Sequence, residues 1–173
     1  MWTPKRAPDA RHFSALLIAG LVAAAACNDR RPVEPAARPQ AVAYITLSDS
    51  APSAGDTVRV SVRLRAAIDV GSVGSFAATL RYDGAALTMV DEAPLGDAAL
   101  RAINGTEAGV VRAAGAAAEG FGEAPLFAVR LRVVRPQALR SMRLDFSELN
   151  AVGRSDLKRA VRVADVIAAE PKP

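Results

Sequence analysis

In 173 residues with one Cys, one His, one Trp and a formal net charge of +4, there is room for one sizeable core and no internal disulfide. The His and the Trp are His12 and Trp2, both within the first 26 residues. The chain beyond them therefore has no imidazole for a Ser–His or Cys–His nucleophile or a His-containing zinc site. Only carboxylate chemistry or a Lys or Tyr base stays open, and no catalytic constellation is present. An enzyme is not expected, and no cofactor or metal is called for.

Lys5, Arg6 and Arg11 precede the apolar run Phe13–Ala26, which ends at Cys27. That is the layout of a secretory signal over residues 1–26. Its apolar part is shorter than the roughly 20 residues a spanning helix needs. Ala24-Ala25-Ala26-Cys27 resembles the lipobox of bacterial lipoproteins, although Leu is usual where Ala24 stands. The resemblance implies export, acylation of Cys27 and a membrane-anchored lipoprotein of the bacterial cell envelope. Ordinary Ala-x-Ala cleavage, giving a secreted protein, is the alternative. Three of the 22 Lys and Arg and one of the 18 Asp and Glu lie within 1–26, so the remainder carries +2. No nucleic-acid partner is expected at that charge. Residues 27–40 follow as the lipidated Cys and a segment punctuated by Pro32, Pro35 and Pro39. Extended at ~3.1 Å per residue it reaches about 40 Å, as a tether or as an N-terminal tail.

From Ala41 the period becomes two. AVAYITL (41–47) reads as a strand, closed by a Ser-, Pro- and Gly-rich loop. In TVRVSVRLR (57–65), Val58, Val60, Val62 and Leu64 face one side and Arg59, Ser61, Arg63 and Arg65 the other, the pattern of a half-buried strand. Phe76, Ala78, Leu80 and Tyr82 form the next core row, with Ser75, Ala77, Thr79 and Arg81 outward. Asp83-Gly84 turns the chain into ALTMV (86–90). ALRAI (99–103) and GVVRAAGA (109–116) flank Asn104-Gly105, a hairpin signal because both residues tolerate positive φ. The Gly loop 119–123 is expected to expose Phe121. LFAVRLRVV (126–134) sets Phe127, Val129, Leu131 and Val133 against Arg130 and Arg132, and Pro136 stops it. SMRLDF (141–146), ELNAV (148–152) and RAVRVADVIAA (159–169) complete the set, the last favouring strand through Val161, Val163, Val166 and Ile167. About nine short strands without a convincing helix make a single all-β sandwich over 41–168, followed by a tail at 169–173.

The order of AGDTVRVSVRL, VGSVGSFAATLRYDGAALTMV, GVVRAAGA, PLFAVRLRVV and LDFSELNAVG resembles the cohesin domain. Leu80-Arg81-Tyr82-Asp83 followed by Leu87 carries the most specific part. Cohesins and the related family 3 carbohydrate-binding modules are nine-stranded jelly-roll β-sandwiches, so the resemblance implies that fold. It also implies a protein partner of the dockerin kind, met by the outward row Ser75, Ala77, Thr79 and Arg81 with Arg112 and Ala114 beside it. The resemblance sets Ser75 and Ala77 where type I cohesins place Asn and Asp, so a type II-like or unrelated partner stays open. The other reading, a carbohydrate-binding module that holds polysaccharide directly, needs exposed aromatics. The chain beyond the leader offers only Phe121 and Tyr44 for that. By the resemblance Arg59, Arg63 and Arg65 share a sheet with Arg130 and Arg132, with Arg162 as a further candidate. This Arg-rich face is read either as solvated surface or as a contact for an anionic polysaccharide, lipid headgroup or acidic partner.

Overall fold

The computed structural model describes residues 41–66, 72–153 and 156–164. The leader, Cys27, the segment up to 40, the end of the last predicted strand (165–168) and the tail lie outside them. Nine strands are found among the described residues: β1 Ala41–Leu47, β2 Thr57–Ala66, β3 Val73–Arg81, β4 Leu87–Glu92, β5 Leu100–Asn104, β6 Val110–Ala116, β7 Phe127–Val133, β8 Arg143–Ala151 and β9 Val161–Val163. They form a five-stranded sheet in the order β4-β7-β2-β1-β9 and a four-stranded sheet in the order β5-β6-β3-β8. This is the all-β sandwich expected from the alternation.

Period two builds the core directly. Val58, Val60 and Val62 of β2 are buried with Phe76, Ala78 and Leu80 of β3 in one cluster. Burying a side chain such as Leu80 contributes about 1.5–3 kcal/mol. The Phe76 ring stacks on Phe127, centroids 6.0 Å apart, which ties β3 to β7 of the other sheet.

The Asp83-Gly84 turn carries the chain from one sheet to the other. The Asp83 carboxylate accepts the Ala85 amide at 2.9 Å and Arg135 Nη2 at 2.9 Å, while its carbonyl accepts the amides of Ala86 and Leu87. Gly84 is required for space, since a Cβ there would lie 2.8 Å from the Gly109 nitrogen. Just before the turn Tyr82 is buried, and burial pushes its phenol up while hydrogen bonds to the backbone of Gly109 and Met89 partly offset this.

Four local expectations change. The β5–β6 hairpin forms, but neither Asn104 nor Gly105 has positive φ; Gly109 does, at 79°. The loop is longer than a two-residue turn, and Asn104 Oδ1 braces it by accepting from the Thr106 amide and hydroxyl. Phe121 is not an exposed ring: it is 5% exposed. Gly120 and Gly122 take positive φ around it, its amide donates to the Val73 carbonyl at 2.8 Å, and its ring packs edge-on against Phe76 at 5.2 Å. Arg101 then lies over it, 5.1 Å from the ring centre. Ser61, expected on a solvated face, is fully buried. The final run begins as a 3-10 turn, Lys158–Ala160, before the short β9.

Candidate binding face

The outer face of the four-stranded sheet collects the outward residues of β3. Register places Ala102, Ala114, Ala77 and Glu148 side by side across β5, β6, β3 and β8. On one side of this row stand Leu100, Ala116, Ser75 and Asn150; on the other stand Asn104, Arg112, Thr79 and Asp145. Arg81 and Arg143 close the face at the far end of β3 and β8, directly opposite each other. The six residues expected here from sequence, Ser75, Ala77, Thr79, Arg81, Arg112 and Ala114, are thus brought onto one surface.

The middle of that surface is a shallow depression of about 340 Å³, floored by Ala77, Ala102 and Ala114 and edged by Thr79, Asn104, Arg112 and Ser147. Three methyl groups in a row leave backbone close to solvent across three strands, about 10 Å in all at the usual strand spacing. That width matches the diameter of one α-helix, about 10–12 Å with side chains.

The polar rim is partly fixed in place. Ser75 Oγ donates to Glu148 Oε1 at 2.9 Å, and Asn150 Nδ2 donates to the same oxygen at 2.9 Å and to Ser75 Oγ at 3.0 Å. Asn150 Oδ1 in turn accepts the Asp156 amide at 2.8 Å. Arg112 pairs with Glu107 at 2.7 Å.

Sequence reading left out Leu100, Ala102 and Asn104 of β5 and Asp145, Glu148 and Arg143 of β8. For β5 the signal was present as alternation, with Arg101 and Ile103 turned inward. For β8 it was obscured by a bulge. Ala77 pairs Glu148 while Ala78 pairs Phe146, so Ser147 is an extra residue that shifts the facing pattern halfway along the strand.

The arginines of the other sheet are placed as their strands require. Arg59 sits directly across from Arg130. Asp91 of β4 faces Arg130 from the other side, makes a two-pronged ion pair with it and pushes its guanidinium above the usual value. Arg59 reaches the Pro94 carbonyl at 3.4 Å and Arg63 the Glu123 carbonyl at 3.1 Å. Arg65 and Arg132 are exposed, as is Arg162 on β9. Among the described residues no group of three or more acidic, His or Cys side chains is placed to hold a metal ion.

No family model matches the chain, and no curated protein matches it by sequence. Solved structures do match in fold. The sixth cohesin of scaffoldin B from Acetivibrio cellulolyticus, solved in complex with a dockerin mutant, superposes with a TM-score of 0.55 at 14% identity, over 73% of this chain and 97% of that one. CaCohA2 from Clostridium acetobutylicum gives 0.53 at 14% identity, over 76% and 91%. The second type II cohesin module of the ScaA scaffoldin of Acetivibrio cellulolyticus gives 0.53 at 10% identity, over 78% and 98%. The likeness is one of fold, and the fold is the cohesin β-sandwich.

Proposed function

We propose that this protein is a non-catalytic binding module that holds a dockerin-like protein against the outer face of the β5-β6-β3-β8 sheet. The observation that carries the reading is the alanine row Ala102–Ala114–Ala77 on an open sheet of a cohesin fold. One matched module, the sixth scaffoldin B cohesin, was solved holding a dockerin. Transfer of that role rests on fold analogy together with the surface. Ser75 and Ala77, in place of the Asn and Asp of type I cohesins, set the partner apart from type I dockerins. The leader and Cys27 support export and anchoring to the cell envelope. Linkage to polysaccharide breakdown would come through the partner. Direct sugar binding has little to work with, because Phe76, Tyr82, Phe121 and Phe127 are buried and Tyr44 and Phe146 are half-buried.

A panel of purified dockerin modules, including any encoded beside this gene, tests the proposal by calorimetry. Wild type should bind at least one member. Ala77→Arg should keep its fold, since exposed-face changes stay within about 0.5 kcal/mol, and should lose capture by at least 100-fold, because the new charge would be buried unpaired at the contact. A wild type that binds no member, or a folded Ala77→Arg protein that binds as well as wild type, overturns the reading.

A further inference from the structure

At the end of the binding face, Arg81 of β3 and Arg143 of β8 are both exposed and stand directly opposite each other in the register. Like charges so placed destabilise a sheet. The other directly opposed arginine pair among the described residues, Arg59 and Arg130, has Asp91 paired with Arg130. Arg81 and Arg143 make no ion pair among the described residues. Asp145, two register pairs away opposite Thr79, pairs with neither of them. Among the described residues, the side-chain hydrogen bond of the two is from Arg143 Nη1 to the neighbouring Met142 carbonyl. Two exposed guanidinium side chains therefore leave directly opposed backbone positions at the margin of a flat, small-residue surface, each with donors to spare.

A carboxylate placed between two such forks forms short, charge-assisted hydrogen bonds and relieves their repulsion. Resting on the docking face proposed above, we propose that Arg81 and Arg143 form its acid-recognising end, and that the partner presents an α-helix with an Asp or Glu there. Ala77 and Arg81 are four residues apart on β3, about 14 Å at ~3.4 Å per residue. On a helix lying along the strand that distance is about nine residues. The partner helix thus carries its acid about two and a half turns from the small residues that meet the alanine row.

The test uses the full chain and two synthetic Ala-rich helical peptides of equal length. One carries a pair of Glu nine residues from its Ala-only turn, and the other carries Lys at the same positions. The Glu peptide should bind at least 10-fold more tightly, shifting the amide resonances of Ala77, Ala114 and Arg81, and added salt should weaken it. Arg143→Glu should abolish the preference between the peptides while raising the melting temperature by a few degrees, because opposed like charges become an opposite pair. A merely structural role for Arg143 would lower the melting temperature and leave the preference unmoved, which would overturn the proposal. Equal binding of both peptides at the alanine row removes the acid preference and leaves the docking face standing. If neither peptide binds while a dockerin still does, the acid-helix proposal falls alone.

Discussion

Arg101 is a structural side chain on an edge strand. On the edge strand β5 it points inward, donating from Nε to the Leu126 carbonyl at 2.7 Å and from Nη2 to the Pro125 carbonyl at 3.1 Å, with Asp97 as its counter-ion. The Arg101 guanidinium holds the Asp97 carboxyl below its ordinary value. Its plane covers Phe121, so the loop that flanks it is pinned from both sides. Composition could not reveal this, because "Gly-Phe-Gly" reads as an exposed flexible tip unless the packing partner is known. Phe121→Ala should destabilise the domain by about 3–5 kcal/mol, measured by urea unfolding. A change below 1 kcal/mol would return Phe121 to the surface. The core rows of β2 and β3, by contrast, were legible residue by residue, since strict alternation leaves one assignment of faces.

At the scale of elements, the strands were legible, and so was the β5–β6 hairpin, while the pairing of the other strands was not. The β5–β6 hairpin was expected from Asn104-Gly105, yet its constraint lies at Gly109, which combines positive φ with a close approach. A Cβ at Gly109 would lie 2.7 Å from the Tyr82 carbonyl oxygen. That carbonyl belongs to the residue just after β3, so the hairpin and the turn into β4 are fitted to each other there. Gly109→Ala should cost more than about 1 kcal/mol, because both conformation and space oppose it. Equilibrium unfolding in urea measures it, and an unchanged midpoint would show that the loop relaxes freely. The candidate face follows the same division. Its β3 and β6 members were visible in the sequence, whereas its β8 members depended on a one-residue bulge that alternation alone does not reveal.

For the whole molecule, the period-two runs and turn spacing were enough to indicate a single sandwich, because nine half-apolar strands have few ways to bury one face each. Which strands share a sheet depends on long-range pairing that no short motif carries, and the order of motifs supplied it only through resemblance. The cellular setting belongs to this scale too. If Cys27 is the anchor, Cys27→Ala should release nearly all of the protein from the membrane fraction or halt its processing, as fractionation and blotting would show. Unchanged membrane association and processing would end the lipoprotein proposal.

The position of β1 has a mechanical consequence. Its seven residues pair antiparallel with β2, and its first three also pair in parallel with β9, with the Ala164 amide adding a bond to the Ala43 carbonyl at 2.8 Å. If the module is anchored through Cys27 and grips a partner as proposed, it is under tension, and the load enters at β1. Pulled along its own axis, β1 cannot peel away one bond at a time: the pairs with both neighbours are loaded in shear together. The strand that begins the domain is then also its force-bearing seam, and shortening β9 should make the module yield at lower force before it weakens partner binding.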